Sequence, residues 1–415
     1  MKKDIDALME ARNLDVILVM GSASHNPYMY YFTGNVHLSG DVYPSAACLI
    51  KQRGEEPVLF AGSMEREEAA RSGLKTMNLA EYDLKAFMEE TGGNASKALA
   101  LRFKHMFADL GISGGRMEIY GNIDMGYGYD IFTSLKEIMP AFEILGGGLN
   151  PTLSEAMTTK DEAEVERIRR MGKATAEIVG RVADFLQSHK AKDGVLVKAD
   201  GQPLKIGEVK NNINRWAVEA NASNPHDCIF SLGRDAGIPH SMGNLDDSLE
   251  LGKTIIFDIF IQEPGGGYHF DFTRTWCLGF APEEVQKMYG DVKAVFDDVM
   301  GALEANASLA DLQNYTCELF EAQGHETLRQ NPKIEEGYVH SLGHGLGLNV
   351  HEMPGARGDN NALRPGVVVT IEPGLYYPSR GMGARIEDTI YVRPDGSIEN
   401  IIDYPYDLVL PVEEE

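Results

Sequence analysis

Two apolar runs in this chain each hold a carboxylate, and that combination narrows the possible folds more than any other feature. In LGKTIIFDIFI (251–261) Asp258 sits between Phe257 and Ile259; in VVVTIEPGLYYP Glu372 sits between Ile371 and Pro373. An unpaired carboxylate out of water is strongly destabilising, so each run needs surroundings that satisfy its acid. After the first run a Pro-Gly-Gly-Gly turn leads into YHFDFTRTWCLG, which returns Asp271 thirteen residues after Asp258. After the second, a Gly-rich turn leads into ARIEDTIYV, which returns Glu387 fifteen residues after Glu372. Both segments read as β-hairpins with acids at the centres of facing strands. Helical segments (EEVQKMYGDVKAVFDDVMGALE and LADLQNYTCELFEAQG) lie between them. Two matching helix-plus-hairpin halves, packed with the hairpins facing, put four acids in one small volume.

Four buried acids repel one another, which raises their pKa values unless cations are present. Nearby basic residues are few, chiefly Arg274 and Arg385. Divalent metal is the economical answer, and an oxygen-rich site suits Mn²⁺ or Co²⁺. The SLGHGLGLNVHEMPG stretch supplies imidazoles. His344 lies between Gly343 and Gly345, where backbone can approach an ion closely. His351 follows seven residues later, and His240, in IPHSMGN, precedes Asp258 by eighteen. If all three converge on the acids, one binds metal and the others face a substrate. His340 and His269 read as structural, as do the scattered Cys228 and Cys277.

The order Asp258, Asp271, His344, Glu372, Glu387, with the words GYHFDFTRTW, GHGLGLNVHE, TIEPGLYY and GARIEDT, resembles the pita-bread metallopeptidases. The Arg385-Ile386-Glu387-Asp388 run and a separate N-terminal α/β domain make it more similar to the Xaa-Pro dipeptidases (prolidases) and Xaa-Pro aminopeptidases than to the methionine aminopeptidases. The resemblance is strong over 154–405 and general over 1–150. One departure stands out: the family's usual spacing between the two aspartates is shorter by two residues. Two extra residues in the QEPGGGYH turn keep both acids on one face, because strand side chains alternate with a period of two.

The resemblance implies an α/β domain over 1–153 and an α+β pita-bread catalytic domain with pseudo-twofold halves over 154–415. It implies two divalent metal ions, manganese first, with cobalt or zinc as alternatives. Asp258 would bind one, His344 and Glu372 the other, and Asp271 and Glu387 both. A metal-bridged hydroxide would then attack an Xaa-Pro bond of a peptide or dipeptide substrate. Glu372 would also serve as general base and then acid, and His351 would donate to the developing oxyanion. His240 would position substrate or leaving group; Arg385 would orient a substrate carboxylate or a metal ligand. A homodimer is expected on the same ground. Two other readings of the fold, a metal-free creatinase-type amidinohydrolase and a non-catalytic binding protein, would each have replaced ligand acids.

The N-terminal part alternates short apolar runs with helical patterns. DALMEAR opens a helix, DVILVM is a strand, YYFTG ends in a turn, and AACLIK and PVLFAG are further strands. SMEREEAARSG and SKALALRFKHMFADLG have helical spacing, with Gly111 a C-cap. This is an α/β layer around a mostly buried sheet. Near Thr152 the pattern breaks at three glycines and Pro151, and a long charged amphipathic helix follows. No GxGxxG follows the first strand, the 265–267 glycines lack a phosphate-loop ending, and HEMPG is not HExxH.

Acids outnumber basic residues 63 to 38, a formal charge of −25, which argues against nucleic acid or an anionic membrane as partner. The opening residues lack a signal-peptide core, and no apolar stretch is long enough to span a bilayer. Four scattered cysteines without a CxxC pair suggest reduced thiols and a cytoplasmic setting.

Overall fold

The computed structural model describes residues 4–38, 47–148, 150–356 and 361–414. The chain gathers into two compact units, residues 1–157 with 265–267, and residues 158–264 with 268–415.

In the first unit six strands lie in the order Lys75–Asn78, Val58–Ala61, Ala47–Gln52, Val16–Met20, Gly115–Gly121, Phe142–Leu145. Val16–Met20 runs antiparallel to Ala47–Gln52 and parallel to Gly115–Gly121, so the sheet is mixed. All five residues of that strand are buried. Val16, Leu18 and Met20 enter one core, with Leu99, Phe103 and Phe107 of helix Ala95–Asp109. Ile17 and Val19 enter another, with Ile5 and Met9 of helix Ile5–Ala11. A strand apolar on both sides has to be covered on both, and here it is. YYFTG ends helix Pro27–Thr33, which stops at Gly34 with φ 67°.

The second unit opens with helix Glu162–Gln187, whose N-terminus is closed by a reciprocal Asp161–Glu164 capping box. This helix and Ile206–Glu219 accompany a sheet ordered Val409–Leu410, Phe272–Leu278, Thr254–Ile259, Ile229–Leu232. Helices Glu283–Gly301 and Leu309–Ala322 accompany a second sheet, ordered Glu352–Gly355, His344–Gly345, Val368–Ile371, Asp388–Val392, Ile398–Asn400. Each sheet is centred on an antiparallel pair of strands with a third beside its first member.

In the first hairpin Asp258 faces Thr273 across the ladder. Asp271 is two residues before Thr273, just ahead of the strand, so it is Asp258's diagonal neighbour on the same face. The second hairpin is less simple than expected. Ile371 pairs with Asp388 and Gly374 with Arg385, in one continuous register, but the ladder breaks between them. Gly374–Tyr377 and Met382–Arg385 form a separate two-stranded sheet. Glu372 and Glu387 face each other in that gap, beside Pro373, which has no N–H to give a ladder. The expectation of four acids at strand centres is therefore corrected: Asp258 lies within a strand, and the other three lie where pairing stops.

The two hairpins are joined by their backbones. Thr273 and Glu387 exchange N–H···O bonds of 3.4 and 3.1 Å, and the Thr275 hydroxyl accepts from Arg385 N and donates to Arg385 O. Between these threonines Arg274, 1% exposed, donates to the carbonyls of Thr273, Glu387, Tyr404 and Pro405 and ion-pairs with Asp388 at 2.9 Å. Removing the guanidinium leaves a buried, uncompensated Asp388. Arg274→Met should therefore destabilise the protein by about 3–5 kcal/mol, seen as a lower urea midpoint. A midpoint equal to that of the parent would show that Arg274 does not hold this junction together.

Candidate metal centre

The five residues singled out as ligands are neighbours in space. Asp271, His344 and Glu387 each offer a ligand atom within 4.8 Å of the others'. His344 Nε2 lies 3.7 Å from Asp271 Oδ2 and 3.5 Å from Glu372 Oε1. His344 Nδ1 is 3.1 Å from the Gly345 carbonyl, which can only accept, so Nδ1 carries the proton and Nε2 turns a lone pair toward the acids. Thr273 Oγ1 donates to Glu387 Oε2 at 2.7 Å. Asp258 Oδ2 accepts from Arg385 Nη2 at 2.6 Å, while Asp258 Oδ1 is buried without a hydrogen-bond partner.

Electrostatics follow from this crowding. Burial, then the charge of Glu387, raises the Asp271 carboxyl well above the carboxylate range, and the same two causes raise Glu372. Burial and then Asp258 push Glu387 up to about 8. Burial, helped by His351, pushes His344 down to about 3, so its imidazole is neutral and free to act as a ligand. Four hard carboxylates, one neutral imidazole and an orphaned buried oxygen are a donor set that fits divalent cations, whose charge removes the conflict that protons otherwise relieve.

The remaining predicted residues surround this set. The His351 ring centroid is 4.2 Å from that of His344. His351 itself is exposed at the edge, where its pKa is lowered by burial of part of the ring and then by His240, which is also exposed. Arg385 is 2% exposed and reaches Asp258, the Tyr376 hydroxyl (2.7 Å), the Pro239 carbonyl (3.3 Å) and Thr273 Oγ1 (3.3 Å). Of the two tasks considered for it, the geometry supports orientation of an acid. His340 stands one step further out: Nε2 is 2.7 Å from the Tyr376 hydroxyl, and burial together with the Arg385 charge lowers its pKa to about 3. His269 is buried, with Nδ1 3.2 Å from the Phe260 carbonyl. All four cysteines are free and buried.

Two contributors escaped the sequence reading. Thr273, which holds Glu387, carries a legible signal, since it is two residues beyond Asp271 and so on the same strand face. Tyr376, which links Arg385 to His340, carries the same kind of signal, since it is four residues beyond Glu372 and Tyr377 falls on the other face. The glycines around His344 also admit neighbouring backbone. A Cβ on Gly343 would lie 1.9 Å from the Thr370 carbonyl oxygen, and one on Gly345 would lie 2.1 Å from that of Met353. They allow the Thr370 and Met353 backbone to come close.

The sequence pattern of metallopeptidase family M24 matches residues 166–394. That is more than half of the chain. The chain belongs to this family. A probable dipeptidase, PepE of Mycobacterium tuberculosis (strain H37Rv), is 30% identical over 293 residues, covering 68% of this chain and 71% of that one. Among solved structures, the dipeptidase of Pyrococcus horikoshii OT3 superposes with a TM-score of 0.75 at 23% identity, over 98% of this chain and 99% of that one. A Xaa-Pro dipeptidase of Bacillus anthracis gives 0.73 at 21% identity, over 98% and 99%. The fold is thus the pita-bread fold, and this M24 member is a metallopeptidase, a metal-dependent hydrolase that acts on peptides. Among the described residues no helix is long and apolar enough to cross a membrane.

Because the acids conflict most when no metal is present, adding Mn²⁺ to metal-free protein should raise its thermal midpoint. Saturation a hundredfold above Kd corresponds to about 2.7 kcal/mol. Asp271→Asn should respond far less, and an equal rise in both proteins would show that the ion binds elsewhere.

Proposed function

We propose that this M24 peptidase hydrolyses Xaa-Pro bonds, as dipeptidase or aminopeptidase, with two divalent ions held by Asp258, Asp271, His344, Glu372 and Glu387. The observation that carries the reading is the convergence of four buried carboxylates and one neutral imidazole. Asp258 would help hold one ion, His344 and Glu372 the other, and Asp271 and Glu387 would contribute to both. When bound, the ions would supply positive charge to acidify water and polarise the scissile carbonyl. Glu372, raised by burial, takes a proton from the attacking water and passes it to the leaving prolyl nitrogen. His351 donates an N–H to the oxygen that becomes negative as the carbonyl is attacked. His240, on the same side as His351, positions substrate or leaving group. Arg385 keeps Asp258 oriented through a short charge-assisted bond.

Retention of every ligand acid supports this over the metal-free and non-catalytic readings. Catalysis is assigned to 154–415, since all these residues lie there, and 1–153 is assigned as the accessory α/β domain. The name of the Bacillus anthracis relative, a Xaa-Pro dipeptidase, supports the Xaa-Pro class. Manganese, with cobalt or zinc as alternatives, suits the oxygen-rich donors. Four free buried thiols support a cytoplasmic setting, and a homodimer rests on the resemblance, to be read by sedimentation.

The deciding assay is hydrolysis of Gly-Pro against Gly-Leu, with Mn²⁺ and after exhaustive chelation. Gly-Pro turnover that vanishes on chelation is expected; turnover surviving it rules out the metal role, and faster Gly-Leu hydrolysis rules out the proline preference. Glu372→Gln should keep the fold and lower kcat by about 10²–10⁴, whereas near-parental turnover would assign the proton transfer elsewhere. His351→Ala should lower kcat by about 10²–10³ with little change in Mn²⁺ affinity, measured by calorimetry; the reverse pattern would make His351 a ligand.

A further inference from the structure

Resting on the reading of His351 above, we propose that Lys160 and Glu352 are positioning residues that fix the His351 imidazole through a buried ion pair outside the acid cluster. Lys160 Nζ and Glu352 Oε2 are 2.8 Å apart, and their side chains are 1% and 4% exposed. An ion pair taken so fully out of water is held at a large desolvation penalty, so it is poorly explained as a source of stability. Its location suggests another use. Glu352 directly follows His351 in the chain, and its second oxygen, Oε1, accepts the Asn349 N–H at 3.0 Å, which closes the turn carrying His351. The same carboxylate lies against Gly347, where a Cβ would come within 2.3 Å of Oε2. One carboxylate therefore organises residues 347–352 from inside.

Lys160 supplies the fixed point. Its N–H donates to the Gly366 carbonyl at 2.7 Å, and Thr159 bridges to Val367. Those residues lead directly into strand Val368–Ile371 and so to Glu372. The ammonium also approaches the Thr158 carbonyl at 3.4 Å. A continuous path thus runs from the segment bearing the general base, through Lys160 and Glu352, to the exposed ring that donates to the oxyanion. It sets the spacing of base and donor, which a flexible turn on its own would not hold.

The test combines kinetics of the Mn²⁺-loaded enzyme on Gly-Pro with amide exchange of the metal-free chain. Lys160→Met and Glu352→Gln should each lower kcat by about tenfold to a hundredfold, the scale of a small misplacement of a catalytic group. KM and Mn²⁺ affinity should be nearly unchanged, and Lys160→Arg should restore part of the rate. In the His351→Ala background Glu352→Gln should have no further effect, because it acts through that ring. Amides of 347–353 should exchange faster in metal-free Glu352→Gln, with the Glu372 segment unaffected. If a single variant fails to fold, the apolar pair Lys160→Met with Glu352→Met removes both charges together and is read in the same way. Additive losses from His351→Ala and Glu352→Gln, or unchanged exchange over 347–353, would overturn the proposal while leaving the His351 assignment intact. Parental kcat in His351→Ala alone would remove that assignment, and the proposal with it.

Discussion

Repulsion among buried carboxylates at the junction of two hairpins is the constraint around which the second unit is built. Glu372 and Glu387 face each other in one register, and Asp271 is diagonal to Asp258. Side-chain rotation cannot relieve this, because each acid is tied to paired backbone within a residue or two. The backbone exchange between Thr273 and Glu387 then locks one hairpin to the other. Rigid placement of like charges stores an unfavourable energy in the metal-free fold. Burial and neighbouring charge therefore raise Asp271, Glu372 and Glu387 together, and a cation bound there would relieve the same conflict.

Much of this was legible in the sequence because strand alternation has a period of two. An acid flanked by Phe257 and Ile259 implies a buried polar position, and the parity of the hairpin keeps Asp271 on the same face despite two extra turn residues. What parity could not show is where pairing stops. Pro373 hints at it, yet the break at Ile386-Glu387 on the opposite strand has no such marker. Parity still holds beyond the break: Tyr376 is fully buried and bonded to Arg385, while Tyr377, on the alternate face, is only half-buried.

In the first unit the reading succeeded where burial on two faces dictated the outcome. Val16–Met20 is apolar throughout, and its odd and even residues enter separate cores. YYFTG announced its closing turn but not the helix before it, which the Asn26 side chain caps by accepting from Met29 N. The same lesson applies to His344: its flanking glycines signal close approach, but not what approaches. Contact with Thr370 and Met353 backbone draws three strands together behind the imidazole.

Approximate twofold symmetry of the halves does not extend to their charges. The acid of the first hairpin strand, Asp258, has a permanent cation, Arg385, on one oxygen, while Glu372 in the second faces a neutral imidazole, His344. Arginine stays charged whatever its surroundings, so Asp258 remains partly compensated when no metal is bound. Glu372 has no fixed cation of its own among the described contacts; Arg385 lowers its pKa only from a distance, and burial outweighs that effect. Two hairpins of one design therefore hold carboxylates with different partners side by side, a guanidinium on one and an imidazole on the other. Such a pair can divide ligand and acid–base work between chemically identical groups, because surroundings rather than residue type decide the role of each.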